Sequence, residues 1–427
     1  MLDGLRRFLS YPDLRNKILL TVALLVAARV IAHIPMPAVD QEALRQFFSN
    51  NTLFGLLNAF SGGSIANFSI ALMGVGPYIT ASIIMQLLTM VFPQLEELQK
   101  EGEQGQRIIN QYTRILTVPL ALLQSYAMIS FLRGQGVVTQ YDLTDLSLML
   151  IAATAGTILL MWIGEIISEN GIGNGISLII TLGIITDFPG SILNAYNLIF
   201  GGGVVDWNKL LVYGGVTLLA VGILALIVLV TEGERRIPVV YARRIRGPRS
   251  YGSVETHLPL RVNSAGVIPI IFALSLLLFP GVIFRFLSQA RSAWLSQAGQ
   301  AVDRFLQNQT YYAILYFLLI LAFTYFYTSV VFQPVRVAEN LQKRGGFIPG
   351  VRPGTETAGH LAYVMNRITL FGGLFLAFIA VLPYIIQGVT ATQIILGGTG
   401  LLITVAVIIE TMRQLQAQLL TKQYDVY

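Results

Sequence analysis

The 427-residue chain contains no cysteine and three histidines. Disulfides, thiol nucleophiles and Cys-ligated zinc are thereby excluded, and His33, His257 and His360 have no metal-ligand spacing. Charge is scarce as well. Asp, Glu, Lys and Arg make up 12% of the residues and apolar types 54%, where a soluble domain carries about 25% charged residues. The chain lacks a G-x-x-x-x-G-K-[ST] run for nucleotide phosphates, an H-E-x-x-H pair and any paired-carboxylate or Ser-His-Asp set. Gly171-Ile172-Gly173-Asn174-Gly175 opens an apolar run and follows no strand, so it is no dinucleotide fingerprint. Catalysis has no support, and neither a metal nor a cofactor is expected.

What the chain has instead is ten apolar runs, at about residues 17–34, 69–92, 112–132, 146–167, 172–185, 210–230, 263–287, 311–332, 368–387 and 394–412. About 20 apolar residues cross a bilayer core as a helix. The chain therefore reads as an all-α, polytopic membrane protein of ten transmembrane helices. The fifth run is short and begins in glycines, which makes it the weakest by hydropathy. No small-residue cleavage site follows the first run, so that run is expected to stay in the protein as a span.

Lys and Arg divide 21 to 6 between the two sides of these spans, with Arg29 inside the first. The rich side holds the N-terminus, the even-numbered connections and the C-tail. The positive-inside rule then puts both termini in the cytoplasm. Two loops on that side dominate. The loop at about 231–262 carries Arg235, Arg236, Arg243, Arg244, Arg246, Arg249 and Arg261, and the loop at about 333–367 carries Arg336, Lys343, Arg344, Arg352 and Arg367. Topology setting and attraction to anionic lipid heads account for part of this charge. Each loop is longer than a connection needs, and each contains turn formers: Arg246-Gly247-Pro248 in one, Gly345 through Gly354 in the other. Ordered basic loops of this kind suit an RNA-rich or acidic protein partner.

A repeat joins two of the spans. Gly74-Val75-Gly76-Pro77-Tyr78-Ile79 and Gly266-Val267-Ile268-Pro269-Ile270-Ile271 both read G-V-x-P-x-I. They lie five spans apart, so they cross in opposite directions, as inverted-topology repeats do. Chance likeness between proline-bearing apolar segments is the other reading. If the repeat holds, residues 1–200 and 201–427 form two inverted five-helix halves, with a functional site at their interface. Arg29, Glu165 and Glu410 fall near span ends, where they can snorkel. The spans hold no midplane acid, histidine or cation for an ion relay, which weighs against the alternative function, an inverted-repeat solute transporter. Between the first two spans, Leu53 to Ser64 gives two apolar turns broken by Ser and Gly. That segment suits either a re-entrant helix or one lying on the outer leaflet.

Five runs carry a family resemblance: Asn58 to Gly63, Pro77 to Leu88, Gly171 to Ser177, Ala265 to Pro269 and Phe347 to Gly354. They closely resemble the SecY family, the channel subunits of the bacterial protein translocase, and the likeness covers nearly the whole chain. The resemblance implies a channel that conducts unfolded polypeptides and releases hydrophobic segments sideways into lipid. It implies a pore ring of Val75, Ile79, Ile176, Ile180, Ile271 and Ile403. It favours a re-entrant plug helix at about 53–67, including Leu56, Asn58, Phe60, Ser61, Gly62 and Gly63. It implies a lateral gate between spans 2 and 3 and spans 7 and 8, with Thr80, Gln86, Gln124 and Asn263, and partner docking through Arg243, Arg244, Arg246, Arg249, Arg344 and Arg352. The implied partners are SecE-like and SecG-like small membrane subunits, a SecA motor ATPase, the ribosome, an unfolded preprotein with its signal peptide, and membrane lipid. The implied location is the bacterial inner (plasma) membrane.

Spacing fits part of this. Val75 with Ile79, and Ile176 with Ile180, are i, i+4 pairs that share one helix face. Interhelical hydrogen bonds in lipid, about 0.6–2 kcal/mol each, would hold a gate that can still open. Two departures stand out. Pro248 precedes Arg249 where relatives pair basic residues, and Val75 with Gly76 removes side-chain volume at the waist.

Overall fold

The computed structural model describes residues 11–36, 68–134, 142–200, 207–241, 245–246, 249–250, 255–288, 293–390 and 398–424. Helices dominate. In chain order they are α1 (Pro12–Ile31), α2 (Gly76–Val91), α3 (Pro93–Lys100), α4 (Glu103–Gly134), α5 (Leu143–Asn170), α6 (Gly175–Phe200) and α7 (Trp207–Glu232). After a β-hairpin come α8 (Ile268–Ser288), α9 (Ala293–Gln307), α10 (Gln309–Val331), α11 (Pro334–Lys343), α12 (Thr355–Thr390) and α13 (Gly398–Tyr424). Among the described residues, six stretches are long and apolar enough to cross a membrane. A seventh is the pair α2 and α3, bent by 102°. The bend has a local cause: Pro93 restricts Phe92 to extended backbone, so α2 stops there.

Among the described residues each of the ten apolar runs overlaps a separate helix, but hydropathy reads only the greasy part. Helix α12 begins at Thr355, well before the apolar run at 368, and α13 continues to Tyr424, well past 412. The extension of α13 is rich in good helix formers, whereas that of α12 is held by packing, with Leu361 buried against the sheet. Helix α9 occupies residues that the apolar runs leave between spans 7 and 8. It is amphipathic, with Ala298, Val302 and Leu306 on a shared face.

The expectation of an all-helical chain is corrected by five strands: β1 (Glu234–Tyr241), β2 (Ile245–Arg246), β3 (Arg249–Ser250), β4 (Glu255–Arg261) and β5 (Gly346–Phe347). Strand β1 pairs antiparallel with β4 from Glu234 opposite Arg261 to Val240 opposite Glu255. Its Val240 and Tyr241 pair with Phe347 and Gly346 of β5. The order β4-β1-β5 thus joins the 6/7 loop to the 8/9 loop in one sheet. The physical reason is the β-branched and apolar alternation of the hairpin. Ile237, Val239 and Leu260 are buried against Leu341 of α11, Ile348 and Leu361 of α12. Without that shared core a two-stranded hairpin is marginal in water.

The main core is a single apolar cluster that draws on α1, α2, α5, α6, α7, α8, α10, α12 and α13. Helix α8 packs against α2, α4 and α10; α13 packs against α6, α7 and α12; α1 packs against α5 and α6. A second cluster sits where Phe68 and Leu72 meet Met128, Ile129 and Leu132 of α4 and Met149 of α5.

Candidate functional site

The two copies of the G-V-x-P-x-I repeat adopt the same local conformation. Gly74 has φ of 55° and Gly266 of 64°, a left-handed backbone that glycine takes without penalty. Each turn feeds a helix whose second residue is proline, Pro77 in α2 and Pro269 in α8. There the missing N–H is one the helix leaves unpaired in any case. The Ile79 N–H donates to the Val75 carbonyl (3.1 Å), and the Ile271 N–H donates to the Val267 carbonyl (3.2 Å). Span 2 is helical only from Gly76; residues 70–75 form turns, which corrects the continuous span expected from residue 69.

These helix starts carry the proposed ring. Val75, Ile79, Ile180, Ile271 and Ile403 are each 5% exposed or less and belong to the main apolar cluster. Ile176 is half-buried and packs on that cluster's edge. A side chain on Gly164 of α5 would bring its Cβ to 2.5 Å from the Ile176 Cδ1 atom, so that glycine sets how close α5 and α6 approach. The set spans four chain segments, and its side chains carry only aliphatic groups. A constriction of this chemistry resists ions by dewetting. Val267 was missed in the sequence reading. It is 1% exposed, lies in the same cluster and is the repeat mate of Val75; the repeat itself was the signal that would have found it.

The helices expected to form the lateral gate are in contact, since α8 lies against both α2 and α4. On the other side of α8, the Phe272 ring meets Phe323 (5.9 Å) and Tyr327 (6.2 Å) of α10 edge-on. The polar residues behave differently from the expectation of bonds between helices. The Thr80 hydroxyl donates to the Gly76 carbonyl (3.1 Å) of its own helix, because that acceptor is one turn back. Gln86 Oε1, Gln124 Nε2 and Asn263 Oδ1 are buried without a partner among the described residues.

The plug segment at 53–67, with Leu56, Asn58, Phe60, Ser61, Gly62 and Gly63, lies outside the described residues. Its flanks are fixed. The Met36 N–H donates to the Phe68 carbonyl (2.8 Å) and the Ile70 N–H to the Ile34 carbonyl (3.0 Å). Phe68 holds a left-handed φ of 40° while its ring is buried to 1% exposure, so packing offsets the backbone strain.

Of the expected docking residues, Arg243 and Arg244 also lie outside the described residues. Arg246 and Arg249 stand opposite each other in the β2–β3 register. Arg344 is exposed at the C-cap of α11. Arg352 is exposed, and its carbonyl accepts a bond from the Thr357 hydroxyl (2.9 Å), which fixes the loop at the start of α12.

Comparison with known proteins agrees with this geometry. The SecY family pattern matches residues 69–412. The chain is 44% identical to the protein translocase subunit SecY of Streptomyces galbus, over 100% of this chain and 99% of that one. Among solved structures, a protein-conducting channel superposes with a TM-score of 0.67 at 18% identity, over 94% of this chain and 91% of that one. Sec61 from a canine ribosome–channel complex of the endoplasmic reticulum superposes with a TM-score of 0.65 at 17% identity, over the same shares. A match to most of the chain, a full-length relative at this identity and a shared channel fold lead to one conclusion: the chain belongs to the SecY family of protein-translocating channels.

Proposed function

We propose that this chain forms the pore of a bacterial plasma-membrane translocase. It crosses the membrane ten times, keeps both termini in the cytoplasm and divides into inverted halves at 1–200 and 201–427. Val75, Ile79, Ile176, Ile180, Ile271 and Ile403 form the waist, and residues about 53–67 form the plug. An unfolded preprotein threads between the two halves. Its apolar segments leave into lipid where α8 parts from α2 and α4, past Thr80, Gln86, Gln124 and Asn263.

The observation that carries this reading is the aliphatic set itself. Two proline-started helices from a repeated motif, with α6 and α13, bring their branched side chains into one dry cluster. Sorting at the gate follows from transfer energies. A Leu or Ile contributes about 0.3–0.6 kcal/mol on insertion, and one Arg or Asp costs about 2.5–3.5. The chain supplies no chemistry of its own, so energy comes from partners. SecE-like and SecG-like subunits complete the channel; a SecA motor ATPase or a ribosome docks on the basic loops through Arg243, Arg244, Arg246, Arg249, Arg344 and Arg352. The ribosome-bound relative supports the latter.

The test is reconstitution of the full chain in vesicles with its small subunits and motor. ATP-dependent protection of an unfolded preprotein from added protease is expected. Its absence, with the motor active, would overturn the reading.

A further inference from the structure

The 6/7 hairpin leaves α7 at Glu232 and returns through Arg261, and both roots meet the cytoplasmic end of α13. Arg413 donates to the Glu232 carboxylate (2.9 Å) and to the Thr231 carbonyl (3.1 Å). That carbonyl belongs to the last turn of α7, where backbone acceptors have no helical donor. On the returning strand, Arg261 lies within electrostatic reach of Glu410, one turn before Arg413. The next residue, Gln414, turns the other way: its Oε1 accepts the N–H of Gly173 (3.0 Å), just before α6. Gly173 has φ of 87°, and a Cβ there would stand 3.0 Å from the Thr411 hydroxyl. One helix end thus holds the base of the docking hairpin and the start of a ring-bearing helix.

Helix α13 is suited to pass on a displacement. No glycine or proline interrupts it between Leu401 and Tyr424, and such helices bend little. Ile403 lies about 15 Å up the same axis at 1.5 Å per residue. Ile176 and Ile180 sit in the first two turns of α6. We propose that Arg413 is a positioning residue that couples engagement of the 6/7 hairpin to the ring. A shift of the hairpin base moves α13 and the start of α6 together, and with them Ile403, Ile176 and Ile180. The inference rests on the channel reading above, and Arg413 itself touches no substrate. An ion pair this exposed couples two events by about two- to fivefold.

The experiment uses the full chain with its small subunits in vesicles and reads two quantities separately, motor affinity and preprotein protection per bound motor. Arg413→Gln should lower protection about two- to fivefold with motor affinity unchanged, and the paired exchange Arg413→Glu with Glu232→Arg should regain most of it. Because the chain has no cysteine, a second arm is free of background. The pair Glu232→Cys and Arg413→Cys should lose protection and recover it once bridged by a bifunctional maleimide. Wild-type protection in Arg413→Gln, parallel loss of motor affinity, or no recovery on bridging would each overturn the coupling. A wild-type chain that shows no protection overturns the channel reading, and this inference with it.

Discussion

At the proposed waist, what matters is what the side chains of Val75, Ile79, Ile180, Ile271 and Ile403 lack, which is any atom that binds water. Replacing Ile79 and Ile180 with Ser puts two hydroxyls in the constriction. The resting ion conductance of reconstituted vesicles should rise at least severalfold; an unchanged leak would show that these side chains do not form the seal. Gly164 is a second point of sensitivity. Leucine there would drive into Ile176 and push α5 from α6, an overpacking of about 1–3 kcal/mol. The purified variant should aggregate at a lower temperature than wild type, and an equal midpoint would refute the close approach. The aliphatic set came from the family resemblance, and spacing alone reaches only its two i, i+4 pairs, Val75 with Ile79 and Ile176 with Ile180. Val267 was within reach of the repeat, where it is the mate of Val75, and the matching turns at Gly74 and Gly266 bear out that pairing.

At the scale of elements, hydropathy located the apolar helices because a lipid-facing helix must be apolar over most of its length. It could not find the strands. Ile237, Val239 and Leu260 are too few to signal a sheet until Leu341, Ile348 and Leu361, about 100 residues away, supply the other wall of their core. Helix α9 escaped for a related reason, since an amphipathic helix averages to a bland hydropathy. The helices expected at the lateral gate do touch, α8 against α2 and α4, but Thr80 finds its acceptor within its own turn and not across helices. Arg352 stands on the loop that the sheet and the Thr357 bond hold still. Charge reversal, Arg352→Glu, should slow motor-driven translocation roughly tenfold while leaving the vesicle leak unaltered. An unchanged rate would remove that residue from docking.

At the scale of the whole molecule, the absence of cysteine makes orientation directly measurable. Arg352→Cys should react with an impermeant maleimide only from the cytoplasmic side of intact cells or vesicles. Trp294→Cys on α9, where the native side chain is 75% exposed, should react only from the opposite side. Labelling of both from one side would break the alternation of spans on which the inverted halves depend. The three-stranded sheet has one more consequence. Its strands all come from the chain after Trp207, so the two basic loops make a single handle on the proposed second half. A partner that grips the handle therefore pulls first on the chain after Trp207, and reaches α6 through the end of α13.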